Sequence, residues 1–296
     1  FYGGTYFPPI RVHNRPSWKE VLTQIHQAFQ SRRKEIEEQA ENLLSYLSKS
    51  NQATSFENTI YTGTSLFSMD QCQQAFGTIM GISDKVYGGF GKAPKFPQTF
   101  TIQYLLRYHH FTGDKEAIQQ AELSLKSMMR GGIYDQIGGG FCRYSTDTTW
   151  LAPHFEKMTY DNALLLVCLS EAYQLNKDPE YKKVAVQTID FMKREMMSAD
   201  FGIYAALDAD SEGEEGKYYT WAKKEFEEVL KDDAAVMANW FDITEEGNWE
   251  GVNIPRTNED IEDWAQGQGL DIKTADKKIQ NSINLLLAER QKRIRP

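Results

Sequence analysis

The sequence predicts an all-α fold, a partial or complete α/α toroid of helical hairpins, from three observations. Helical segments come in pairs, one apolar on nearly every side and the next striped. The turn inside each pair is tight. The links between pairs, 131–156 and 198–221, are about 26 and 24 residues long, beyond ordinary connections, and rich in glycine, aromatic and ionisable residues.

In chain order, residues 1–9 (FYGGTYFPP) read as a strand stopped by Pro8 and Pro9. Ser17 is placed to cap a long helix reaching about Lys49, with Trp18, Val21, Leu22, Ile25 and Phe29 at helical spacing. The Thr-, Ser- and Asn-rich stretch 50–68 reads as a linker. A helix from about Met69 to Lys85 leads into the first glycine-flanked loop, GGFGKAPKFP at 88–97.

The first pair is 98–112, apolar nearly all round, and 114–130, striped by Ile118, Ala121, Leu125 and Met128. Gly113 ends one helix and Asp114 caps the next. The second pair is 157–175, with the all-apolar run Ala163–Leu169, and 178–197, striped by Tyr181, Val184, Ala185, Ile189, Met192 and Met196. Asp178 caps that helix, with Pro179 at its first position. Shorter helices at 222–241, 258–266 and 272–294 follow, around a Gly247–Gly251 loop. Helices that run out and back return all three glycine-flanked loops to one rim.

Composition narrows the function. A formal net charge of −9 excludes non-specific nucleic-acid binding. Three widely spaced cysteines without a CxxC form neither a disulfide framework nor a zinc site, which fits a reducing, cytoplasmic setting. No apolar run reaches the ~18–20 residues of a membrane span. No P-loop, GxGxxG, HExxH or GxSxG is present, so neither cofactor nor metal is expected.

Chemistry concentrates in the loops. His154, followed by Phe155 and Glu156, sits at a loop-to-helix junction, where it either transfers protons or bonds the helix start. Asp161 lies one turn into an apolar helix, where a carboxylate is either paired with Lys157 four residues back or turned to a polar mouth. Asp208, Asp210, Glu212, Glu214 and Glu215 open like a calcium loop, but Tyr219 stands where the bidentate glutamate belongs. A solvated acidic turn, or carboxylates acting on a polyhydroxylated ligand, are the remaining readings. Lys95 beside Phe96 suits a polar ligand or a salt bridge to the acidic loop. Tyr144, Trp150 and Tyr160 are placed to stack on sugar faces or to pack the loops.

GGFGKAPKFP, GGGFCRYSTDTTWLAPHFEKMTYDN and ALDADSEGEEGKYYTW together resemble the signatures of the spermatogenesis-associated protein 20 family. In that family a thioredoxin-like domain precedes an α/α toroid similar to N-acylglucosamine 2-epimerases and six-hairpin glycosidases. FYGGTYFPP resembles the last strand of the thioredoxin-like domain and 17–49 its closing helix. The resemblance implies a short remnant of that α/β domain at 1–50 and a toroid at 51–296, with the redox CxxC upstream of Phe1 and the rest of the toroid beyond Pro296. It also implies a sugar or other polyhydroxylated ligand at the loop-bearing rim. On this reading His154, Glu156 and Asp208 are the catalytic candidates, and Lys95, Tyr144, Trp150, Tyr160, Asp161, Asp210 and Glu212 hold substrate. The alternative is a non-catalytic scaffold that binds clients for the attached thioredoxin-like domain.

Overall fold

The computed structural model describes residues 7–12, 15–52 and 68–296, so most of the strand and the linker expected at 1–9 and 50–68 lie outside it. The chain divides into two compact units, Phe1–Leu66 and Phe67–Pro296. In the first, Ser17 and Glu20 close a reciprocal cap on α1 (Trp18–Ser31), the Glu20 carboxylate accepting from Ser17 N at 2.8 Å. The single long helix expected to Lys49 is two. The chain breaks at Arg32 (φ −132°, ψ 34°) and α2 runs over Arg33–Gln52. The break falls in the polar run Gln30–Lys34, which offers no apolar side chain to hold a continuous helix against a core.

In the second unit Ser68 caps α3 (Met69–Ile82). Helices α4 (Thr99–Thr112) and α5 (Lys115–Arg130) form a hairpin through Gly113, at φ 74°, and Asp114, whose carboxylate accepts from the amides of Glu116 and Ala117. The motif repeats in α6 (Thr159–Asn176) and α7 (Pro179–Phe191), where Asp178 accepts from Glu180 N. The first helices of the two hairpins, α4 and α6, pack on each other. They form the inner layer, and α5 and α7 the outer, of an arc of α/α toroid.

Two details differ from the sequence reading. On α7 the buried face is Tyr181, Val184, Thr188 and Phe191, while Ile189 is exposed. The helix widens into a π-helical segment at Met192–Met196, which delays the register and returns Met196 to the interior. The inner helices are not covered all round either: Phe100, Phe111 and Val167 are exposed, because no described residue packs over that face.

Helices α8 (Lys223–Leu230), α9 (Ala234–Trp240), α10 (Ile261–Gly267) and α11 (Ile272–Arg290) build a second core around Trp221, Phe226, Met237, Trp264 and Leu286. The main core joins Leu105, Leu125, Trp150, Phe155, Leu165 and Tyr181.

Short antiparallel strands tie the long loops together. Strand β1 (Tyr144–Ser145) pairs with β2 (Pro153–His154), β3 (Lys157–Met158) with β4 (Ala206–Leu207), and β5 (Asp210–Ser211) with β6 (Glu214–Glu215). The first glycine-flanked loop joins through Lys95 and Ser145, whose backbones exchange bonds of 2.8 and 2.9 Å.

Beneath these strands lies a buried ionic triad. Lys157 Nζ donates to Asp135 Oδ2 at 2.8 Å and to Gly139 O at 3.0 Å, and Arg290 Nη1 donates to Asp135 Oδ1 at 2.8 Å. The excess positive charge rests on aromatic faces: the Lys157 ammonium is 4.5 Å from the Phe191 ring centre and 4.7 Å from that of Tyr219. Burial alone would raise the Asp135 pKa, but Arg290 and Lys157 hold it well below the usual carboxylate range. Its stabilisation is therefore complete above the unfolded value near 3.8 and declines as the pH falls below it. Asp135→Asn strands two buried cations and should cost about 3–5 kcal/mol in urea unfolding at pH 7, with a shallower loss in acid than the parent; a cost under about 1 kcal/mol would make the triad dispensable.

Candidate functional site

Pairing of β1 with β2 sets His154 opposite Tyr144, and the two rings stack with centres 5.1 Å apart and planes 28° from parallel. Phe96 packs on the other partner of that stack, 4.8 Å from the Tyr144 ring centre. The acidic loop closes over β2 because Gly216 (φ 76°) carries no side chain: a Cβ there would stand 2.5 Å from the Phe155 ring. This close approach lays Glu215 on the strand. Glu215 Oε1 accepts from His154 Nδ1 at 2.7 Å and from Phe155 N at 3.3 Å. A carboxylate partner places the hydrogen on Nδ1 and leaves Nε2 as the lone-pair nitrogen.

Nε2 faces Glu156 Oε2 at 3.8 Å, too far for a hydrogen bond. Glu156 is instead held by Arg143, Nη1 to Oε2 at 2.8 Å, and that bond raises the guanidinium pKa, with Tyr160 contributing. Asp161, on the first turn of α6, has one carboxylate oxygen, Oδ2, shut from solvent with no hydrogen-bond partner. Burial pushes its pKa up to about 6; Arg143 opposes the rise and Glu156 adds to it. Tyr160, beside it, is exposed. Through Glu156 and Arg143, one neighbourhood thus gathers an oriented imidazole, an arginine–glutamate pair, an unsatisfied carboxyl group and the exposed Tyr160 ring.

The structure departs from the sequence expectation at several positions. The carboxylate that orients His154 is Glu215, not Glu156. Lys157 pairs with Asp135 rather than Asp161, because β3 directs it beneath the loops. Lys95 is not a rim residue: its ammonium is fully buried and donates to Asp84 Oδ2 at 2.6 Å, Gly88 O at 2.9 Å and Thr148 O at 2.8 Å. Trp150 is fully buried as well, with Nε1 donating to Tyr87 O at 2.8 Å and the ring wedged against Gly89. Both lock the first loop to the second and have no surface to offer a ligand.

The remaining acidic residues are not bonded to the imidazole. Asp208 is exposed and accepts from the amides of Ala209 and Asp210 at 2.7 and 3.4 Å, which shapes its own turn. Asp210 is exposed opposite Glu215 in the β5–β6 ladder, and Glu212 forms an open ion pair with Lys217 at 2.9 Å. Among the described residues no group of three or more His, Cys, Asp or Glu is spaced to hold a metal ion. No described helix is long and apolar enough to cross a membrane.

Arg143 and the triad partners Asp135 and Arg290 are residues that sequence reasoning did not single out, and it read Glu215 only as one carboxylate of the acidic turn. Gly216 beside Glu215 is the one local sign that this part of the loop lies against another segment.

A family model, Thioredox_DsbH (protein of unknown function, DUF255), matches residues 1–48. Spermatogenesis-associated protein 20 from Homo sapiens is 31% identical over the whole of this chain. The chain belongs to the spermatogenesis-associated protein 20 family. It spans 41% of the human relative's length. Among solved structures, a sugar epimerase from a ruminal bacterium is similar at 15% identity and a TM-score of 0.43, over 73% of this chain and 71% of that one. Cellobiose 2-epimerase from Bacillus thermoamylovorans B4167 is similar at 13% identity and a TM-score of 0.42, over 47% and 40% of the two chains. These likenesses are loose, and the hairpin architecture rests on the packing described above.

Removing the Glu215 carboxylate releases the imidazole. In Glu215→Ala the His154 Nδ1–H resonance should be lost to exchange in nitrogen-15 spectra, with the fold retained; a resonance identical to the parent's would mean that the carboxylate does not hold the ring.

Proposed function

We propose that this domain is carbohydrate-active or carbohydrate-binding, with His154 as its proton-transfer group. The observation that carries the reading is the 2.7 Å bond from His154 Nδ1 to Glu215, which fixes the tautomer and leaves Nε2 without a hydrogen bond on a partly exposed side chain. The surroundings suit a polyhydroxylated ligand. Tyr160 offers an exposed aromatic face to sugar C–H bonds, while Glu156, Asp161 and Arg143 supply hydrogen-bonding groups for hydroxyls. Asp208 and Asp210 are exposed carboxylates on the loop that delivers Glu215, within the same acidic turn. No cofactor enters: proton abstraction and return at carbon or oxygen, as in sugar epimerisation, isomerisation or glycoside cleavage, needs only positioned acids and bases.

A second reading is favoured by the exposed Phe100, Phe111 and Val167 on the inner helices. That face would hold an unfolded client for a thioredoxin-like domain, and the imidazole would take no part.

The two readings separate in one experiment. A panel of neutral mono- and disaccharides is screened by thermal shift against the parent and His154→Ala. A sugar present at 100 times its Kd adds about 2.7 kcal/mol of stability; the shift should vanish in the variant, whose own unfolding temperature stays near the parent's. No sugar response, together with apolar peptide binding that His154→Ala leaves intact, would sink the first reading and support the second.

A further inference from the structure

The carboxyl group of Asp161 stands out among the buried polar groups of the molecule. Its Oδ2 is closed to solvent without a partner, whereas Asp135, also buried, is bonded at both oxygens. An ionised oxygen in that state loses its hydration and gains nothing in return, so the site favours the neutral acid. The charged groups that face it are few. Arg143, from the loop after α5, favours the carboxylate but is already committed to Glu156, and Glu156 itself opposes ionisation. Lys157, four residues back on the same strand–helix junction, is turned away to Asp135. Nothing in the fold needs the Asp161 carboxyl: it caps no helix, bridges no loop and pairs with no cation at bonding distance.

We propose that Asp161 is the acid of this site: its unpartnered carboxyl group, in the acid form, donates its hydrogen to a ligand oxygen while His154 Nε2 accepts one. The inference rests on the proton-transfer reading of the His154 cluster and adds its complementary partner. The step is balanced without a co-reactant: one O–H bond at Asp161 breaks as one forms on the ligand oxygen, and one ligand C–H or O–H bond breaks as an N–H bond forms at Nε2. Reversal restores both groups. Burial pushes the carboxyl pKa up to about 6, which keeps a minor acid form, about a tenth, present at pH 7.

A carboxyl group whose pKa the fold raises also leaves a mark on stability that no ligand is needed to read. The folded value lies above the unfolded one, so folding binds a proton, and the cost of Asp161 appears as the pH rises from about 4 to above 6. Asp161→Asn keeps the shape and a hydrogen-bond donor but cannot ionise. The whole chain is titrated by carbon-13 NMR of its aspartate carboxyl groups, and its unfolding temperature is followed from pH 4 to 8, for the parent and for Asp161→Asn. The expected result is one carboxyl resonance titrating near pH 6 that is absent from the variant. The variant should also unfold on the order of 2–4 °C higher than the parent at pH 7.5, with the difference closing by pH 4. An Asp161 resonance titrating in the ordinary carboxylate range, or a variant destabilised at pH 7.5, overturns the proposal, since either result means that the ionised form is the one the fold supports. A silent sugar panel beside an elevated titration removes the carbohydrate reading and leaves the acid assignment standing.

Discussion

One buried carboxylate, Asp135, holds the loop-bearing rim in register. Two-residue strands such as β1 to β6 do not specify a register by themselves, because a slip of one residue costs them a bond or two. Asp135 supplies what they lack. Its Oδ1 accepts from the amides of Ile137 and Gly138 at 3.1 and 2.8 Å and from Arg290, while its Oδ2 accepts from Lys157. A turn in one long loop, the start of α6 and the end of α11 are thereby pinned at one point. Lys157 is three residues after His154, so fixing the lysine fixes the reach of the histidine strand, and the β3–β4 pairing passes the constraint to the loop that delivers Glu215. A buried ion pair of this kind is weak evidence for net stability, and its defensible role is conformational specificity.

The glycines belong to the same constraint. A Cβ at Gly138 would stand 1.8 Å from Arg290 Nη2, and one at Gly140 would stand 2.3 Å from the Phe191 ring. Arg290 reaches Asp135 only because Gly138 leaves room, and Phe191 backs the Lys157 ammonium only because Gly140 does. In the fold the GGG run at 138–140 serves close packing of backbone against side chains.

What the sequence shows and what it conceals follow from the range of the forces involved. The hairpins were legible because their signals are local: Asp114 and Asp178 cap the helices that follow them, and helical spacing marks α5 as half buried. The convergence of the three loops followed from helix direction alone. Residue roles at the rim were not legible, because burial there is decided between segments far apart in the chain. Lys95 and Trp150 have the composition of a ligand site, yet Thr148, Gly88 and Tyr87 consume their donors. Glu156 is the nearer carboxylate in sequence, but Arg143 engages it, and Glu215 arrives from 61 residues away. The slip on α7 has a similar origin, since a π-helical segment changes the phase of a stripe without altering its composition.

Asp135 and Asp161 show how one fold sets two like groups apart. Both are carboxylates, both lie near an arginine, and both are withdrawn from water. Burial raises the pKa of each, so desolvation alone does not separate them. The difference lies in what else the surroundings supply. Asp135 receives two cations and two backbone amides at bonding distance, and the charged form wins. Asp161 receives an arginine already satisfied by Glu156, and the neutral form gains. Such a split between titratable groups is how acid and base assignments arise in one pocket at one pH. Here it also separates structure from the proposed chemistry: the carboxylate whose bonds are complete holds the loops, and the one whose bonds are missing is the one proposed to act on a ligand.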